Sequence, residues 1–230
     1  MRIMTAVLAV TTICFISAVV IALLASRKIR ILHCLLAAAI HDCMHDSLTG
    51  LRNRACFYQQ SALILGEAST PVAVAIIDLD AFKPINDTHG HAIGDQVLIE
   101  IAHRLDVLLS PLSVVARLGG DEFAVCMAIP AAHEDPHALL EAIFIRVAHQ
   151  INKPIVIDGI QMMIATSIGA VIRTPGEQAS LPILLHSADR AMYRAKQVDN
   201  AVTIGDIQRQ SESSTRGIQV MPHCGGEALS

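Results

Sequence analysis

The chain has no tryptophan, two tyrosines and five phenylalanines, so aromatic residues make up only 3% of its 230 positions. Binding of single-stranded nucleic acid relies on aromatic faces for base stacking, and this composition argues against it. Nor is there an excess of positive charge: 17 Lys and Arg stand against 21 Asp and Glu, a formal net charge of −4. With no basic stripe to neutralise a phosphate backbone, nucleic acid is excluded as the main partner. The six cysteines (Cys14, Cys34, Cys43, Cys56, Cys126, Cys224) form no CxxC pair. In a cytosolic domain they read as reduced, mostly core-filling thiols. The eleven histidines show no HExxH or other zinc spacing.

Charge is scarce altogether, at 17% against 53% hydrophobic residues, which is too apolar for an ordinary soluble domain. Residues 3–25 carry no charge and are about long enough to cross ~30 Å of hydrocarbon as a helix. Arg27, Lys28 and Arg30 follow that run, whereas only Arg2 precedes it, so the positive-inside rule places the bulk of the chain in the cytoplasm. The expected organisation is an N-terminal transmembrane anchor over 1–26 and a juxtamembrane linker helix over 27–45. A cleaved signal peptide is the rival reading; Leu23-Leu24-Ala25 makes a poor cleavage site for it. An anchor that begins at residue 3 leaves no periplasmic sensor domain to be expected.

Beyond the linker the periodicity changes. A helix is expected to about Leu65, a buried strand from Pro71 to Leu79, and a functional loop over 81–95. The next helix carries Ile93, Val97, Leu98, Ile101, Leu105 and Leu108 on its apolar side. Two apolar runs then meet at Gly119-Gly120, which reads as a hairpin. A helix over 138–151 and a hairpin follow, the hairpin pairing 154–160 with 161–172 across an Asp158-Gly159 turn. A helix over 184–196 and a short strand over 201–204 complete the domain. The pattern predicts an α+β domain over 46–205 with a mostly antiparallel central sheet flanked by helices. Residues 206–230 are rich in Ser, Gly, Gln and Glu and are expected to be a disordered tail.

Asp121 and Glu122 follow the glycine pair at once, and carboxylates crowded at a turn repel unless a cation or proton intervenes. Asp78 ends a strand that can neighbour that hairpin, and acids on adjacent strand ends about 4.8 Å apart can share Mg²⁺. Taken alone, Asp78 and Asp80 read better as loop caps; the hairpin acids tip the balance toward a metal site. Lys83 offers a point charge to a triphosphate. Asn86 and Asp95 can hydrogen-bond a base edge, and a carboxylate there accepts from guanine but repels adenine.

The strings DSLTGLRNR (46–54), DLDAFKPINDTHGHAIGD (78–95), RLGGDEF (117–123), SIGA (167–170) and ADRAMYRAK (188–196) together resemble the signature of GGDEF-domain diguanylate cyclases. The resemblance implies a fold similar to the nucleotidyl cyclase and polymerase palm, and Mg²⁺- or Mn²⁺-dependent condensation of GTP to cyclic di-GMP by a homodimer. Asp78, the Leu79 carbonyl, Asp121 and Glu122 would hold the metal, with Asp121 the base for the 3′-hydroxyl and Glu122 beside it in the catalytic cluster. Asn86, His91 and Asp95 would surround the guanine, Lys83 and Lys196 the phosphates, and Gly119 and Gly120 would admit the nucleotide. The setting it implies is a bacterial inner membrane with the catalytic domain cytoplasmic.

Two departures stand out. The family's RxxD product-inhibition motif is replaced by Ser110-Pro111-Leu112-Ser113, and the arginine expected after Lys196 is missing from Gln197-Val198-Asp199-Asn200-Ala201. The alternative is therefore a catalytically inactive domain that binds GTP or a protein.

Overall fold

Alternation of apolar residues along the central strands sorts the core of this computed structural model onto the two faces of one sheet. The structure describes residues 2–67, 69–110, 113–130, 135–197 and 201–207; side chains at 2–16, 18, 37–40 and 206 lie outside the description. The chain divides into two units, residues 1–45 and 46–230.

The first unit is a single helix, α1 (Arg2–Met44). The segments expected as an anchor (1–26) and a linker helix (27–45) run on in it without a break. Among the described residues no helix is long and apolar enough to cross a membrane, so the transmembrane helix expected at 1–26 is not supported. The side chains at 2–16, which make up much of the uncharged run, lie outside the described residues.

The second unit runs α2 (Arg54–Leu65), β1 (Val72–Asp80), α3 (Phe82–His89), α4 (His91–Leu109), β2 (Ser113–Gly119), β3 (Glu122–Ala128), α5 (Pro136–Ile151), β4 (Ile155–Ile157), β5 (Ile160–Met162), β6 (Ala165–Arg173), α6 (Leu181–Gln197) and β7 (Val202–Asp206). The sheet order is β2-β3-β1-β6-β7. The first three pairings are antiparallel and β6–β7 is parallel, so the sheet is mixed rather than purely antiparallel. The α6 crossover between β6 and β7 is what makes a parallel neighbour possible. Ile77, Phe123, Val125 and Ile168 point to the face covered by α4 and α5. Val74, Ile76, Ala124 and Val171 point to the face covered by α2 and α6.

Three expectations are corrected. Much of the loop expected at 81–95 is helical: α3 fills it and α4 begins at His91. Phe82 is buried under the sheet, which ties down a segment whose polar composition reads as a loop. The strand expected over 161–172 is interrupted. Its first part pairs with β4, across a turn at Asp158 (φ 51°) and Gly159 (φ 79°), and its second part joins the main sheet. The domain also extends past 205, since β7 reaches Asp206 and Ile207 is buried. The rest of the expected tail, 208–230, lies outside the described residues.

Candidate active site

Side chains alternate across a strand, so with Ile77 and Leu79 committed to one core, Asp78 and Asp80 must both point to the face that carries α6. At that end of the sheet apolar residues stop and polar ones begin. Asp78 stands directly opposite Glu122 in the β1–β3 ladder and opposite Ser167 in the β1–β6 ladder. Three strands therefore bring Asp78, Glu122 and Ser167 into one row.

The β2–β3 turn holds the third acid. Gly120 has φ +56°, left-handed backbone that glycine adopts without strain, and the β2–β3 register shifts between Arg117 and Gly119. Asp121 follows, and its carbonyl accepts from the Leu79 N–H at 3.4 Å. Arg117 braces the turn: its Nε donates to Gly120 O at 2.9 Å and its Nη1 to Asp46 Oδ1 at 3.0 Å. Asp46 also accepts from the Thr49 N–H and hydroxyl at 2.9 and 2.6 Å. Burial alone would raise the Asp46 carboxyl, but the Thr49 bonds and Arg117 outweigh it and hold it below its ordinary 3.8.

Lys196, in the last turn of α6, donates to Asp78 Oδ1 at 2.6 Å and lies 3.7 Å from Asp80 Oδ1. Ser167 Oγ donates to both Asp80 oxygens at 3.0 Å, and Thr166 Oγ1 donates to the Asp78 carbonyl at 2.9 Å. Burial pushes the Glu122 carboxyl above its ordinary 4.5, with Asp78, Asp189 and Asp121 adding to the rise and Arg54 opposing it. Burial would lower the Lys196 ammonium, yet its bond to Asp78 and the nearby charges of Asp80 and Asp121 leave it raised. A cavity of about 430 Å³ lies beside this cluster, lined in part by Asp80, Asn152, Thr166, Ser167 and Lys196.

The structure therefore joins Asp78, Leu79, Asp121, Glu122 and Lys196. Asn86 on α3 meets the start of α4, because a Cβ built at Gly94 would collide with Asn86 Oδ1. Only glycine at 94 allows that approach, and Asp95 is the next residue. Lys83, His91 and Asp95 are exposed on α3 and α4. Sequence reading gave Asp80 a role only beside Asp78, as a loop cap or part of a metal site, and gave Ser167 and Asp189 none. The two-residue spacing of Asp78 and Asp80 on a strand was the available signal for the first. Ser113, which stands in the expected inhibitory window, is buried and donates to Leu109 O at 2.8 Å; Pro111 and Leu112 lie outside the described residues.

Among the described residues no group of three or more His, Cys, Asp and Glu side chains is placed to hold a metal ion. Mg²⁺ asks for less: one or two carboxylates, the remaining positions going to water and substrate phosphates. Asp78 opposite Glu122, with a cationic ammonium already on Asp78, is a hard-oxygen donor set of that kind.

Residues 43–201 match the family model for the diguanylate cyclase GGDEF domain. Diguanylate cyclase TpbB of Pseudomonas aeruginosa is 42% identical over 164 residues, which cover 70% of this chain and 37% of TpbB. The chain thus spans little more than a third of that relative. The crystal structure of the coiled coil and GGDEF domain of DgcB from Caulobacter crescentus, in complex with c-di-GMP, superposes with a TM-score of 0.70. It is 26% identical, covering 79% of this chain and 95% of that one. The GGDEF domain of TpbB (YfiN) gives a TM-score of 0.63 at 38% identity, covering 74% of this chain and 99% of that one.

Proposed function

The chain belongs to the GGDEF family of diguanylate cyclases, and we propose that it condenses two GTP into cyclic di-GMP with release of two pyrophosphates. The observation that carries this reading is Asp78 facing Glu122 across β1 and β3, with Asp121 in the adjoining turn and Lys196 against them.

Asp78, the Leu79 carbonyl, Asp121 and Glu122 would hold Mg²⁺ or Mn²⁺, which when bound neutralises phosphate charge and acidifies the attacking hydroxyl. Asp121 accepts the proton of the 3′-hydroxyl. The freed oxygen bonds to the α-phosphorus of the facing GTP, and the bond from that phosphorus to the β-phosphate oxygen breaks, releasing pyrophosphate. Lys83 and Lys196 hold the phosphates, and the backbone at Gly119 and Gly120 lets the nucleotide approach closely. Asn86 and Asp95 read guanine, with His91 nearby; the contact of Asn86 with Gly94 supports their acting as one patch.

Each domain presents one GTP, so turnover needs two copies facing each other, and α1 is the segment that would join them. The uncharged run 3–25, followed by Arg27, Lys28 and Arg30, supports attachment to the bacterial inner membrane with the catalytic unit cytoplasmic. Recovery of the full chain in the soluble fraction of lysed cells would overturn that attachment.

The ion pair that occupies Lys196, with no arginine following it, favours a second reading as a GTP-binding module without turnover. Incubating the full chain with Mg²⁺ and GTP and separating the products by chromatography decides between them. Cyclic di-GMP supports the cyclase, and bound but unreacted GTP supports the module. Asp121→Ala is expected to lower the rate by about 100-fold or more. An unchanged rate removes Asp121 as the base.

A further inference from the structure

We infer that Lys196 is an internal counter-cation that must leave Asp78 before a divalent ion can bind there, so that ion and triphosphate enter the site together. This rests on the reading of the site as one for GTP and metal. The ammonium is 2.6 Å from Asp78 Oδ1 and 3.7 Å from Asp80 Oδ1. It therefore already takes up one of the Asp78 oxygens that a hard cation could use as a ligand.

Two cations on one carboxylate repel each other, so a metal ion arriving alone has to displace the lysine from its partner. A shift toward Asp80, 3.7 Å away and bonded to the Ser167 hydroxyl, would leave the ammonium inside the same acidic cluster. The lysine does have room to move. Its side chain is 34% exposed and lines the cavity of about 430 Å³ beside the cluster.

A triphosphate offers the ammonium several charged oxygens, a stronger partner than one carboxylate. Arrival of the nucleotide therefore releases Asp78 to the ion, and each cation keeps an anion throughout. Arg194, the other base in the last turn of α6, cannot take over this role. Its Nη2 lies 3.1 Å from where a Cβ of Gly205 would be, against β7. The bland reading is a surface ion pair worth little, whose removal would leave metal affinity unchanged.

Titration calorimetry of Mn²⁺ into the full chain without nucleotide separates the two. An opposite charge within a few ångströms moves a carboxylate's affinity for a proton by about 10- to 1000-fold. Lys196→Met is accordingly expected to bind Mn²⁺ about tenfold tighter than the wild type or more. It is also expected to bind a non-hydrolysable GTP analogue more weakly. Equal or weaker Mn²⁺ binding overturns the inference. Lys196→Arg restores a cation and is expected to return Mn²⁺ affinity to the wild-type level; an arginine variant that behaves like the methionine one also overturns it. Circular dichroism checks the fold, and Lys196→Gln makes the same comparison if Lys196→Met does not fold. Asp78→Asn in the Lys196→Met background must abolish the tight Mn²⁺ binding. If binding persists there, the assignment of the metal to Asp78 has failed, which is a different failure from that of the lysine exchange.

Discussion

Glu122 shows how one residue is set by what surrounds it. Burial first, then Asp78, Asp189 and Asp121, raise its pKa above the ordinary 4.5. The unfolded chain gives up that proton more easily, so ionised Glu122 costs the fold stability as pH rises above 4.5, and the cost is absent below it. Glu122→Gln keeps the shape without the charge. Its Tm is expected to exceed the wild-type value at about pH 7 and to match it near pH 4, in thermal melts followed by circular dichroism. A lower Tm at neutral pH would mean that the carboxylate is held by favourable contacts. Asp46 is the opposite case, lowered because Thr49 and Arg117 hold its charge, and through Arg117 it braces the Gly120 turn. The acids at 78, 121 and 122 were legible because their types and spacing declare themselves. Ser167 was not, since a serine in an apolar strand acquires meaning only when the ladder sets it opposite Asp78.

Elements are placed by close approach as much as by periodicity. A Cβ on Gly169 would collide with Met192 N and Ala188 O, so α6 lies directly on the β6 backbone. Gly169→Ala is expected to push α6, and Lys196 with it, off the sheet. The cost is about 3 kcal/mol by analogy with overpacked cores, measured by urea denaturation. A loss well under about 1 kcal/mol would show that α6 can shift freely. Buried Arg173 ties the α2–β1 connection, donating to the carbonyls of Leu65 (2.6 Å), Glu67 (2.9 Å) and Thr70 (3.1 Å). Arg104 does the same after α5, to Gln150, Ile151, Lys153 and Pro154. The helices with strong apolar stripes were legible in the sequence. The helix α3 was not, because it is short, polar and held by the burial of Phe82 and the packing of Asn86 on Gly94.

For the whole molecule, the proposed chemistry demands a second copy, since one acid cluster and one guanine patch serve one GTP. Specific activity is expected to fall as the enzyme is diluted, because the active species dissociates by mass action. An activity per mole that holds constant while light scattering reports a monomer would refute the facing-copy arrangement. Cyclic di-GMP added at the start is expected to leave the rate unchanged. Ser113 is turned into the fold against Leu109 O, and neither it nor Ser110 can make the bidentate contacts of an arginine. Strong inhibition would reveal a separate product site.

The sequence alone determined the domain's class, the order of most of its elements and the acidic, glycine and lysine positions, because hydrophobic period and residue chemistry are local properties. Only the tertiary structure decided which of them meet. Strand register set Asp78 against Glu122 and Ser167, the crossover of α6 made β7 a parallel neighbour, and the packing of that helix on Gly169 brought Lys196 to Asp78 across 118 positions. Such pairings depend on how elements dock, and docking is fixed by contacts between residues far apart in the chain.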